Sequence, residues 1–313
     1  MAALAILFDK RQRAVARAKF RAWWDGVEFD EAALDAEAEA APEAPANDAQ
    51  ADDLFEAAPE DLPSRLAALA RLWGDGRLMP GDEAAEALLL AQIGAAEDGV
   101  IAVLGAGMPA PLLALAAKHP GKIVALEWRD ETRANLTSAL ARAKLSDRVS
   151  VHTLDLDAYA APTDAFDGLI SFDEFTYTPN APRLAVQIAK ALKPGACALI
   201  ESYCAIPAPA LAPAFAASFA EAHVRPAGDL AEVLTEAGLA VEANEDQTAD
   251  HLLLARQGFK RLEGVLAAAV EQGMDLSVMR EIAWEAEAWR ARMKALSQKR
   301  LERRQILARK PAA

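Results

Sequence analysis

From about Pro63 onward, short apolar runs alternate with segments whose apolar positions recur at helical spacing. The runs predict strands at Val100–Leu104, Lys122–Glu127, Val149–Leu154, Gly168–Phe172, Ala196–Tyr203 and Leu239–Asn244. Helical periodicity predicts helices at Ser64–Leu72, Asp82–Ile93, Pro111–Lys118, Glu131–Ala143, Arg183–Leu192 and Gly228–Ala237, with Asp82 placed to cap the second. Strands that alternate with helices imply an α/β fold with a doubly wound, mostly parallel sheet. The tail departs from this rhythm. Thr248–Val270 and Leu276–Leu296 read as two long helices, and Arg304–Ala308 is too short for another crossover, so it reads as an antiparallel edge strand.

Two zones precede the globular pattern. Residues 1–24 read as a basic amphipathic helix, with Leu4, Leu7, Phe8, Val15 and Phe20 set against Lys10, Arg11, Arg13, Arg17, Lys19 and Arg21. Such a helix either docks on the body through Trp23 and Trp24 or recruits a protein partner or membrane surface. Residues 25–61 hold fourteen acidic residues and no Lys or Arg, too polar to build a core, and read as a disordered acidic linker. The globular part is 62–313. The linker alone accounts for the net charge of −14 and leaves 33 residues of each sign elsewhere, so no charged field covers the body. No basic, aromatic-interleaved patch marks nucleic acid as a partner. No apolar run approaches the roughly 18 residues a membrane span needs. The basic residues follow the short apolar stretch Ala2–Phe8 rather than precede it, unlike a signal peptide. Only Cys197 and Cys204 are present, which argues against a disulfide framework or zinc site and fits a cytoplasmic setting. The heavy alanine usage suggests a bacterial, GC-rich source.

The sharpest chemical signal lies in the first strand unit. Val100-Ile-Ala-Val-Leu breaks at Gly105-x-Gly107, a helical pattern follows, and the second strand ends on Glu127, twenty-odd residues past the glycines. Glycines let backbone approach a ligand, a helix N-terminus offers free N–H groups, and the carboxylate can accept both ribose hydroxyls. The bland alternatives are a tight strand-to-helix turn and a helix-start charge.

In order along the chain, Trp73-Gly-Asp-Gly-Arg-Leu-Met-Pro-Gly81, Leu104-Gly-Ala-Gly107, Glu127, Arg148-Val-Ser-Val-His-Thr-Leu-Asp155, Phe166-Asp-Gly-Leu-Ile-Ser-Phe172, Leu192-Lys-Pro-Gly195, Trp289-x-x-Arg292 and Ala308-Arg-Lys-Pro311 form one set. The set resembles the class I S-adenosylmethionine-dependent methyltransferases, in particular the branch that methylates small amines, from about Leu72 to Pro311. The resemblance implies a Rossmann-like methyltransferase fold: seven strands, the last antiparallel, with a helical C-terminal insertion. It implies S-adenosylmethionine as cofactor and a small-molecule acceptor, an amine in the finer reading. Gly105, Ala106, Gly107, Glu127, Trp128, Asp155, Leu156 and Ser171 would hold the cofactor, with Asp157 competing for the adenine role of Asp155. Asp173, Glu174 and Tyr177, after the fourth strand, would act on the acceptor, where a carboxylate can hold an amine or take its proton; Phe172, Glu201 and Tyr203 lie at neighbouring strand ends. Asp173 and Glu174 read equally well as ordinary surface-loop acids.

Two positions depart from the family pattern. Val103 stands where the family has an acid, and Pro109 where it has a further glycine, which weakens the expected hold on the methionine end. A methyltransferase fold kept as a non-catalytic interaction or regulatory module is therefore a competing reading. A third is a nicotinamide-dependent oxidoreductase, since Gly105-x-Gly107-x-x-Ala110 also fits the dinucleotide fingerprint. His251 reads as a surface or capping residue rather than a base, and Trp284 with Trp289 as a packing pair.

Overall fold

The computed structural model describes residues 62–74, 76–207, 223–272 and 275–312. The chain divides into two compact units, one of Ala57–Leu262 with Gly273–Ala313 and one of Met1–Glu56 with Glu263–Gln272. The basic helix expected at 1–24 and the linker expected at 25–61 lie outside the described residues. In the larger unit the strands are β1 (Val100–Leu104), β2 (Lys122–Glu127), β3 (Val149–Thr153), β4 (Phe166–Phe172), β5 (Leu192–Ala205), β6 (Arg225–Pro226), β7 (Ala240–Asp246) and β8 (Leu301–Arg309). The described helices are α1 (Ser64–Trp73), α2 (Glu83–Ile93), α3 (Pro109–Lys118), α4 (Asp130–Arg142), α5 (Glu174–Tyr177), α6 (Ala181–Ala191), α7 (Ala227–Glu236), α8 (Thr248–Gln272) and α9 (Leu276–Ser297).

The sheet runs β3-β2-β1-β4-β5-β8-β7, with the two-residue β6 beside β5. Pairings from β3 through β5 are parallel, and β8 is antiparallel to both neighbours. Strand β1 lies at the centre because it is apolar on both faces. Ala102 and Leu104 enter a cluster with Leu184, Ile188 and Leu230. Ile101 and Val103 enter another with Leu112, Leu115 and Leu136. Each fully buried side chain of this kind contributes about 1.5–3 kcal/mol. The local signals also act as expected: Asp82 accepts the Ala85 N–H at 2.8 Å. Helix α3 starts two residues early, at Pro109, because a proline in the first helical turn gives up an N–H that had no partner to lose.

Two expectations need correction. The last strand is antiparallel but not an edge. It spans nine residues and inserts between β5 and β7, leaving β7 outermost. Arg303, polar yet buried, hid its start. Trp284 and Trp289 do not form one packing pair. Five residues of helix rotate about 140°, so Trp289 packs on Trp73 at 4.5 Å between ring centroids while Trp284 stays 58% exposed.

Candidate functional site

From β1 the chain winds outward through β2 and β3, then returns to place β4 on the other side of β1. The carboxyl ends of β1 and β4 thus flank a switch point, where open α/β sheets form crevices. A cavity of about 480 Å³ opens there, walled by Gly105, Ala106, Gly107 and Met108 after β1 and by Phe172 and Asp173 after β4. The glycines are required by conformation and by space. Gly105 has φ +68° and Gly107 φ +61°, where a side chain strains the backbone. A Cβ on Gly105 would lie 2.6 Å from the Phe172 carbonyl and would collide with Glu174 Oε1.

Glu127 ends β2 beneath this loop and is fully buried. Its Oε2 accepts the Gly107 N–H at 2.7 Å, and its Oε1 accepts the Arg129 N–H at 2.9 Å. The Arg129 guanidinium straddles both oxygens at 3.0 and 3.1 Å. A carboxylate offers about four acceptor sites, and these contacts use them. Arg129 also lies 4.4 Å over the Trp128 ring and 5.5 Å from Tyr177, and it lines the cavity. The chain's own Phe172 and Glu174 thus fill the space beside Gly105 while the loop lines the cavity, and Glu127 can receive ribose hydroxyls only after Arg129 swings away.

The remaining expected cofactor residues divide. Trp128 packs beside Tyr177, their ring centroids 5.4 Å apart. Ser171 is buried at the end of β4, with its Oγ unpartnered. Asp155 is not at a strand end aimed inward. Strand β3 stops at Thr153, and Asp155 is exposed, its Oδ1 accepting the N–H groups of Asp157 and Ala158 at 3.0 Å each. Short acidic turns satisfy themselves in this way. Leu156 packs against the core cluster rather than lining the cavity, and Asp157 is exposed.

Beyond β4 the acids are not surface-loop residues. Asp173 is buried at φ +62°, and its Oδ1 is paired with Arg303. Arg303 also reaches Glu201 at 3.1 Å, and Gln305 Nε2 donates to the other oxygen of Glu201 at 3.1 Å. Asp173 Oδ2 and Gln305 Oε1 are buried without partners. Glu174 is fully buried, and the Trp128 indole N–H acts on its carboxyl short of a well-formed hydrogen bond. Burial pushes its carboxyl up to about 8, against the pull of Arg129 and reinforced by Glu127 and Asp173. It is a neutral acid at pH 7. Tyr177 lines the cavity beside Arg129.

His251 also departs from expectation. It is buried, lines the cavity, and meets the Tyr203 hydroxyl at 2.6 Å. Burial, with the Arg303 and Arg292 cations nearby, holds its imidazole well below the ordinary value, so it is neutral. Its early place in α8 suggested exposure, but the strand-side wall of that helix turn is where it sits. Arg129, Arg303, Gln305 and Arg77, which pairs with Glu86 at 2.9 Å, were not foreseen. For Arg303 and Gln305 a signal existed: period-two spacing sets both on one face of the terminal strand.

No protein-family model and no curated protein matches the sequence. Solved structures do resemble the fold. Phosphoethanolamine N-methyltransferase 2 of Haemonchus contortus, solved with phosphomonomethylethanolamine and S-adenosylhomocysteine, superposes with a TM-score of 0.69 at 17% identity, over 79% of this chain and 57% of that one. The chain thus spans little more than half of that enzyme. A Galdieria sulphuraria protein described as a sarcosine dimethylglycine methyltransferase gives 0.66 at 16% identity, over 80% of this chain and 99% of that one. The [4+2]-cyclase SpnF gives 0.64 at 19% identity, over 80% and 94%. The chain has the fold of the class I S-adenosylmethionine-dependent methyltransferases, and fold alone does not fix the reaction.

Proposed function

We propose that the chain binds S-adenosylmethionine in the β1–β4 crevice and transfers its methyl group to a small molecule, an amine in the finer reading. The carrying observation is the positive-φ Gly105–Gly107 loop on the wall of a cavity at the sheet's switch point. The cofactor structures of the Haemonchus enzyme support the choice of ligand. Gly105 and Gly107 would admit the ligand backbone-close, Trp128 would offer a ring face, and Glu127 would take the ribose hydroxyls once Arg129 withdraws. When bound, the cofactor supplies a methyl group on a sulfonium, already activated for in-line displacement. The chain's own task is to align the acceptor and exclude water. Asp173 Oδ2, buried and unpartnered, would hold an acceptor's N–H. Glu174 is neutral at pH 7 and stays beneath the loop without taking a proton from the acceptor.

The Arg129 clamp on Glu127 favours a second reading, a crevice closed by its own side chain in a non-catalytic module. Nothing in the strand order favours the nicotinamide reading. Calorimetric titration with S-adenosylmethionine, S-adenosylhomocysteine and NAD separates the three. Micromolar heat with the first two and none with NAD supports the methyltransferase reading; no heat with any supports the closed module. The 1–24 segment would tether the enzyme to a protein partner or membrane surface in the cytoplasm, and loss of recruitment in cells on its deletion tests that. Among the described residues, no helix is long and apolar enough to cross a membrane.

A further inference from the structure

Beyond β4 the cavity has a polar floor and an apolar rim. The floor is formed by Asp173 just after β4, Glu201 within β5, and Arg303 and Gln305 within β8. Arg303 pairs with both carboxylates, so two negative charges meet one positive charge. The Gln305 amide nitrogen faces Glu201, which fixes its oxygen on the opposite side, because the reverse orientation would set oxygen against carboxylate. What remains unbonded on the floor is two acceptors, Asp173 Oδ2 and Gln305 Oε1. A buried acceptor without a donor is costly, so these atoms specify an occupant with N–H groups, and the surplus negative charge specifies a cation.

The rim has the opposite character. Leu88 on α2 and Leu253 on α8 are 63% and 55% exposed, two of the few large apolar side chains left open among the described residues. They come from segments far apart in sequence, yet both line this one cavity, with Leu254 and Met79 beside them. The guanidiniums lining the cavity are held by carboxylate, Arg77 by Glu86 and Arg303 by Asp173 and Glu201, and Arg129 by Glu127 until a ribose takes its place, when it would be free to meet the cofactor's own carboxylate. A phosphate or carboxylate on the acceptor would have to displace one of them.

We infer that the acceptor is an amine with an apolar body, bound as its ammonium with the head on Asp173 and Gln305 and the body between Leu88 and Leu253, rather than a phosphorylated or carboxylated amine. For methyl transfer the head gives up one proton, to Asp173 Oδ2 or to water, and the freed lone pair displaces the sulfonium. This rests on the methyltransferase reading for what happens to the molecule, but not for its binding.

The test is calorimetry on the full chain, with and without S-adenosylhomocysteine, using ethylamine, n-octylamine, phosphoethanolamine and glycine as probes. Octylamine should bind on the order of 30-fold tighter than ethylamine, since part of a six-methylene extension leaves water. Phosphoethanolamine and glycine should bind no better than ethylamine. Asp173→Asn keeps a residue that tolerates positive φ and turns an acceptor into a donor; it should weaken octylamine at least tenfold. Leu253→Asp, at an exposed position that the fold does not need, should abolish the advantage of octylamine over ethylamine. Preference for phosphoethanolamine or glycine, or octylamine binding indifferent to both substitutions, overturns the inference. If S-adenosylhomocysteine fails to bind while octylamine binds as described, the methyltransferase reading falls and this one stands. If the nucleoside binds and no amine does, the reverse holds.

Discussion

Replacing Glu174 by Gln isolates what a fully buried carboxyl does to the stability of this fold. Glu174 is fully buried with the Trp128 indole as a weak donor to it, and its carboxyl is pushed from 4.5 up to about 8, first by burial. Between those values the folded chain keeps a proton that the unfolded chain has released. Stability contributed by the neutral acid is therefore complete below pH 4.5 and is lost as pH rises toward 8, where the curve levels. At roughly 1.4 kcal/mol per pH unit, the whole window is worth about 5 kcal/mol. Gln is isosteric and never ionises, so its own unpartnered amide adds an offset that does not vary with pH. Urea denaturation of both proteins at intervals from pH 5 to pH 9 reads the difference directly. The stability of Glu174→Gln relative to the parent should grow by about 3 kcal/mol from pH 5.5 to 7.5 and then flatten near pH 8. Arg129, Glu127 and Asp173 face the same carboxyl and are common to both proteins, so their influence enters only through Glu174. Parallel stability curves would mean that Glu174 ionises normally in the folded state, paired with Arg129, and the reasoning from burial would fail.

Arg129→Ala should remove the guanidinium from both oxygens of Glu127, leaving the two backbone N–H groups in place, and tighten S-adenosylhomocysteine about tenfold, on the order of 1.4 kcal/mol; weaker binding by calorimetry would make Arg129 a ligand contact instead of a plug. Val103→Asp, which restores the family's acid, should cost more than about 3 kcal/mol, because the side chain sits with no exposure in the apolar cluster of Leu112 and Leu115; a urea midpoint close to the parent's would show that the loop supplies donors to it. Removing residues 1–61 should leave the larger unit folded, its thermal midpoint within a few degrees, given that ~1 kcal/mol moves a domain of this size by roughly 2–4 °C; aggregation or outright unfolding of the truncated protein would refute the linker reading.

The parallel half of the sheet was legible because its strands are apolar on both faces and bounded by turn residues. Val100–Leu104 and Lys122–Glu127 stand at the predicted positions residue for residue. The antiparallel end was less legible because there the structure spends buried positions on charge. Arg303 carries a cation into the interior, and its presence is rational only once Asp173 and Glu201, 130 and 102 residues away in sequence, are known to converge on it. The same holds for Glu127. Sequence placed it correctly at a strand end, and spacing gave it a ribose to hold, but no periodicity reveals that a guanidinium two residues later folds back over it.

This asymmetry bears on function. Patterning reports which backbone surrounds a crevice, since burial of apolar area is additive along a strand and leaves a periodic trace. It cannot report the ionic state of that crevice, which depends on pairs distant in sequence. In this chain those pairs decide the chemistry. The cavity's three guanidiniums, read singly from sequence, would predict affinity for phosphate or carboxylate. Seen paired, they leave a surplus of carboxylate and two unmet acceptors. The sign of the acceptor's charge therefore follows from which ion pairs close, and that is why the amine probes and Arg129→Ala interrogate this site more sharply than any change to the glycine loop.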